Sequence, residues 1–176
     1  MKKSKFIIIA ENGVEDSELI YPFYRLSEID NLEVLIASSS KEVVCKNGNI
    51  LNAHLSIEEL KTHEKSTVGI LIPGGYISPE RLRQNKVVLD FVKTTSENES
   101  IITAICHGVW VLISAGLMNK IQSTCYPGMK DDLINAGGIY IDNPVIIDGN
   151  IITGRRPRDL SLFMKEVINK LEALKN

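Results

Sequence analysis

Three short runs in this chain are apolar at nearly every position: Phe6-Ile7-Ile8-Ile9-Ala10, Val68-Gly69-Ile70-Leu71-Ile72 and Ile101-Ile102-Thr103-Ala104-Ile105. A strand with one wet face alternates apolar and polar residues. A strand without that alternation has to be covered on both faces. The segments between the runs carry the helical period instead: Leu19, Ile20, Phe23 and Leu26 form one stripe on a helix expected over residues 15–28. Buried strands separated by amphipathic helices predict a mostly parallel sheet with helices on both faces.

The remaining segments fill in that frame. Residues 32–38 read as a second strand, and residues 39–53 as a hairpin turning at Asn47-Gly48. Ser56-Ile57-Glu58-Glu59 matches a capping box and opens a short helix. A strand is expected near Ser123-Thr124, a helix over residues 130–136, and strands over 139–141, 145–147 and 151–153, with a tight turn at Asp148-Gly149. A last amphipathic helix covers residues 158–174. The fold class is therefore α/β, a flavodoxin-like three-layer sandwich in which residues 1–176 make a single domain.

Composition narrows the function classes. The 176 residues are 44% hydrophobic and 24% charged, with a formal net charge of -2 and both signs spread along the chain. That balance lacks the basic face that binds nucleic acid and the polybasic segment that binds a membrane. The basic start Met1-Lys2-Lys3-Ser4-Lys5 precedes an apolar run too short for a signal-peptide core. The expected location is cytoplasmic. Three cysteines, Cys45, Cys106 and Cys125, without CxxC spacing, argue against a disulfide framework and against a structural metal site. Cys45, within Val43-Val44-Cys45, reads as a buried strand residue. Cys125, ahead of Tyr126-Pro127, stays open between a core thiol and a neighbour of the site.

In an open α/β sheet, ligands bind beyond the carboxyl ends of the strands. Three segments fall there: residues 11–18, Pro73-Gly74-Gly75 and Cys106-His107-Gly108. Cys106 sits at a sharp strand-to-helix turn, where a helix N-terminus and free amides are expected to favour the thiolate. Gly74 and Gly75 allow the backbone to approach a ligand, and their amides, with those after Cys106, form a candidate oxyanion hole. Glu15 and Glu18 share one helix face; Glu15 reads as a surface acid, and Glu18 as a carboxyl aimed at Cys106. His107 is a candidate base for Cys106, weighed against a packing histidine because helical neighbours face apart. His54 and His63 read as surface residues.

Together these residues resemble the ThiJ/PfpI superfamily, with its class I glutamine-amidotransferase-like fold and nucleophile elbow. The resemblance covers nearly the whole chain. It rests on residues 13–18, Pro73-Gly74-Gly75-Tyr76, Pro79-Glu80-Arg81-Leu82-Arg83, Ala104-Ile105-Cys106-His107-Gly108, Tyr126-Pro127, residues 130–137, Asp148-Gly149-Asn150 and residues 153–160. A cysteine followed by histidine, with Glu80, is similar to the PfpI intracellular-peptidase branch. That likeness implies Cys106 as nucleophile, His107 as base and Glu80 supplied by a neighbouring subunit, hence a homodimer or hexamer. Glu18 matches the acid beside the cysteine in the Parkinson-linked deglycase branch, from which this chain departs at His107. Gly74, Gly75, Gly108 and Arg155 are the candidate oxyanion and substrate-binding residues. Gly154 and Arg156 replace the serine and glycine usual in the run after Thr153, and Arg156 adds positive charge there.

The resemblance implies a cysteine hydrolase acting without a cofactor or metal on peptide or protein substrates or on small carbonyl compounds. Peptidase, deglycase and methylglyoxal-consuming glyoxalase are all compatible with it. The competing expectation is a redox-sensing stress protein or chaperone in which Cys106 oxidises to a sulfinic acid held by Glu18.

Overall fold

The computed structural model describes residues 4–174. In chain order these form β1 (Ser4–Ile9), α1 (Asp16–Ser27), β2 (Leu32–Ser38), β3 (Glu42–Val44), β4 (Ile50–Asn52) and β5 (Leu55–Ser56). A 3-10 helix (Ile57–Ser66) leads to β6 (Thr67–Ile72), α2 (Ile77–Leu82), α3 (Lys86–Glu97) and β7 (Ile101–Ile105). A single 3-10 turn (Cys106–Gly108) joins β7 to α4 (Val109–Ser114). The chain closes with β8 (Gln122–Ser123), α5 (Lys130–Asn135), β9 (Ile139–Tyr140), β10 (Val145–Asp148), β11 (Ile151–Gly154) and α6 (Leu160–Ala173).

The seven-stranded central sheet has the order β10-β11-β7-β6-β1-β2-β5. All its pairs are parallel except β10 with β11. Side chains along β1 split by period two: Ile7 and Ile9 enter one core layer, Phe6 and Ile8 the other. Phe91, Val92 and Leu112 of α3 and α4 cover the first face, and Leu19, Phe163 and Val167 of α1 and α6 cover the second. This is the α/β three-layer sandwich expected from the apolar runs. The capping box at Ser56 and Glu59 is formed, but what it opens is a 3-10 helix rather than an α-helix.

Register places the site. Ile72 pairs with Ala104, Ile9 with Ala37 and Gly154 with Ile105, so β1, β6, β7 and β11 end along one edge of the sheet. The loops after the first three of these strands therefore converge. A separate antiparallel hairpin, β3 with β4, is bonded onto the loop after β1: Gly13 N donates to Val44 O, and Lys46 N to Val14 O, both at 2.8 Å. Buried Asp16 pegs the hairpin tip, accepting from Asn47 N and Nδ2 and from Asn49 Nδ2 at 2.7–2.9 Å.

Candidate active site

Cys106 has φ of 59°, in the left-handed region that a residue with a Cβ occupies only under constraint. The constraint comes from its neighbours. Gly108 packs so closely on the end of β6 that a Cβ there would strike the Ile72 and Pro73 carbonyl oxygens. A Cβ on Gly74 would meet Glu18 Oε2 and Cys106 Cβ. The elbow is thus held between two glycines, and Cys106 keeps only 6% of its surface exposed.

Four groups converge on the sulfur. His107 Nδ1 lies 3.4 Å from Sγ. The amides of His107 and Gly75 and the Glu18 carboxyl also hydrogen-bond with it. Glu18 has no exposed surface; its Oε2 accepts the Gly74 amide at 2.6 Å, and its Oε1 has no N–H or O–H partner among the described residues. Gly74 therefore spends its amide on Glu18, which leaves Gly75 and His107 as the amides that face a reacting atom at the sulfur.

Burial sets the proton inventory. It pushes the Glu18 carboxyl up to about 8, against the Gly74 hydrogen bond that pulls it down. Burial also raises the Cys106 thiol, and a charged Glu18 raises it further. It lowers the His107 imidazole. The helix-terminus argument predicts a depressed thiol, and the structure reverses it: desolvation outweighs the two amides. At neutral pH Glu18 and Cys106 therefore both keep their protons, beside a neutral imidazole.

Aromatic rings fix that imidazole. Tyr126 stacks on it at 4.5 Å between centroids, and Trp110 and Tyr76 meet it edge-on at 5.1 and 5.8 Å. Trp110 is itself anchored, donating Nε1–H to Asp132 at 2.8 Å beneath the Arg83 guanidinium. Because the Cys106–Gly108 turn is not α-helical, adjacent Cys106 and His107 can face each other.

The site opens into a pocket of about 660 Å³. Its walls include Val44, Tyr76, Ile77 and Pro157, and its charged residues are Glu15, Lys46 and Arg81. Cys106, His107 and Gly75 lie at it, and Glu18 sits behind the sulfur. Glu15, expected as a surface acid, pairs with Lys46 at 3.3 Å on the pocket wall. Cys45 is buried and also lines the pocket, with its thiol pushed up to about 11 by burial. Cys125 is a core thiol, fully buried against the α3 and α4 face. Arg155 is not among the lining residues; Asp159 and Asp142 hold its guanidinium at 3.0 and 2.8 Å. Glu80 turns toward Arg83 and Gln84 of its own chain. His54 accepts the Ile36 amide, and His63 binds Lys5. The aromatic enclosure, Lys46 and Arg81 escape the sequence reading. Trp110 alone had a signal, lying three residues after His107 on the same face.

A model of the DJ-1/PfpI family matches residues 4–170. An uncharacterised protein of Archaeoglobus fulgidus is 46% identical over 96% of this chain and 98% of its own length. Deglycase PfpI of Pyrococcus furiosus is 37% identical over 96% of this chain and 99% of its own. The chain is also similar to a solved two-domain protein of Anabaena variabilis with DJ-1/ThiJ/PfpI-like and ferritin-like domains. That match has a TM-score of 0.91 and 31% identity, covering 97% of this chain and 48% of the other.

Proposed function

The chain belongs to the DJ-1/PfpI family, and on that premise we propose that it is a cysteine-dependent deglycase. Its substrates are adducts of small dicarbonyls such as methylglyoxal with thiols or amines. The observation that carries this reading is one sulfur at a pocket, with His107 Nδ1 at 3.4 Å and a buried, protonatable Glu18 behind it.

Cys106 gives its proton to His107 Nδ1, and the thiolate adds to the adduct's carbonyl carbon. A C–S bond forms, and the C=O π pair moves to oxygen beside the Gly75 and His107 amides. The imidazolium then protonates that oxygen. A protonated Glu18 donates to sulfur whenever it carries charge. The adduct's thiol or amine then leaves with a proton as its bond to the neighbouring carbon breaks, which uncovers an aldehyde; water adds to that aldehyde, and its hydride shifts to the former ketone carbon as the C–S bond to Cys106 breaks. Overall, adduct plus water yields the free thiol or amine and lactate, with Cys106 restored. The aldehyde carbon is oxidised as the ketone carbon is reduced, so the electrons balance within the substrate.

The reading extends to a second copy of the chain. Glu80 of a neighbouring copy is assigned to orient His107, supported by the lack of any carboxylate on this imidazole among the described residues.

The test is release of N-acetylcysteine and lactate from the methylglyoxal–N-acetylcysteine adduct. Wild type is expected to turn over and a folded Cys106→Ala variant to be inactive. Equal turnover by the two, or none by wild type, sinks the proposal.

A further inference from the structure

We propose that Arg81 is an anion-recognition residue of the Cys106 pocket and that the adducts this enzyme prefers carry a carboxylate. The inference rests on the deglycase reading for its substrate class, and on the charges around the pocket for everything else.

The chain has six arginines, and five are committed. Arg25, Arg83, Arg155, Arg156 and Arg158 each have a carboxylate oxygen within 4.0 Å. Arg83 is held further, with Nε on Ser114 at 3.1 Å and its guanidinium over the Trp110 ring. Arg81, two residues earlier on α2, is exposed, and its guanidinium has no ion-pair or hydrogen-bond partner among the described residues. This uncommitted arginine is the one that lines the pocket holding Cys106.

The other charges on the wall cancel. Glu15 and Lys46 neutralise each other at 3.3 Å. At rest His107 is neutral, and Glu18 and Cys106 each retain a proton. Within one chain a single positive charge remains, beside the apolar walls of Val44, Tyr76, Ile77 and Pro157. Low-dielectric walls concentrate the field of such a charge into the opening. A guanidinium offers a planar fork of donors that matches a carboxylate better than it matches a neutral amide or ester. Arg156, which the sequence puts forward as added charge, is not among the lining residues and leans toward Asp159.

The test separates anion recognition from catalysis. Cys106 is alkylated by iodoacetate or by iodoacetamide, reagents of nearly equal size that differ in charge. In both, sulfur displaces iodide: a C–S bond forms, a C–I bond breaks, and the thiol proton goes to buffer. The readout is the ratio of the two rates at Cys106, located by mass spectrometry and divided by the same ratio for free N-acetylcysteine. Wild type is expected to favour iodoacetate about tenfold on this scale, the factor of one charge-assisted contact. That preference should shrink as salt rises. Arg81→Met should bring the ratio to about that of the free thiol, and Arg81→Lys should retain part of the preference.

A wild-type ratio equal to that of the free thiol, or a preference that survives Arg81→Met, overturns the proposal. Turnover of the methylglyoxal–N-acetylcysteine adduct is scored separately. Its absence alongside an Arg81-dependent alkylation preference would remove the deglycase reading and leave the anion site standing. Alkylation of Cys106 by neither reagent removes both.

Discussion

The Gly74 amide donates to Glu18 Oε2 at 2.6 Å, and Glu18 has no other N–H donor among the described residues. One donor satisfies one oxygen of a carboxyl that has no exposed surface. A buried carboxylate needs more than that to stay ionised, so the carboxyl keeps its proton.

Glu18→Gln tests that state through stability. The Glu18 carboxyl titrates at about 8 in the folded chain and at about 4.5 unfolded. A raised acid contributes stability that is fully present below its unfolded value and is lost as pH rises through the folded one. Wild type should therefore weaken relative to Glu18→Gln between pH 5 and pH 9, by on the order of 3 kcal/mol at the alkaline end. Glutamine keeps an acceptor for Gly74 and does not titrate. Parallel urea-unfolding curves at both pH values would show that Glu18 carries no raised pKa.

His107→Ala tests the base. Burial holds the imidazole below its ordinary range, so the acid limb of kcat/KM should have its midpoint under 6.5. The variant should lose that limb and about 10²–10⁴-fold in rate. An acid limb that survives the substitution belongs to another group and removes His107 from the proton path.

Gly108→Ala should cost roughly 2–4 kcal/mol, since its Cβ meets two carbonyl oxygens of the neighbouring strand end. Gly48→Ala is the control. It sits at φ of 96° in open space, so it carries only the conformational penalty of about 1 kcal/mol. Chemical denaturation of both variants decides the matter: equal losses would mean that the elbow tolerates a side chain at Gly108.

The sheet was legible because runs such as Phe6 to Ala10 have no wet face to offer, and parallel strands then bring their following loops to one edge. The β3–β4 hairpin was legible from Asn47-Gly48. The state of Cys106 was not. An argument from the turn and its helix sees the dipole but not the burial, and burial decides the sign. Arg155 shows a similar gap. Asp159 lies four residues further along the chain, but Asp142 meets Arg155 only through the fold. Arg81 could not be singled out from the sequence, because what marks it is the commitment of the other five arginines.

Asp16 ties the hairpin tip to the first turn of α1, the helix that carries Glu18. The hairpin thus supplies the Val44–Lys46 wall of the pocket without forming a strand of the central sheet. It is a separable wall, attached by backbone bonds to the loop after β1 and by its tip to Asp16. Residues along it other than Lys46, Asn47 and Asn49 can be replaced, and selectivity retuned, with the Asp16 peg and the charge beside the proton partners kept. A library over residues 44–50 that spares Lys46, Asn47 and Asn49 is therefore the economical place to redirect this scaffold toward new ligands.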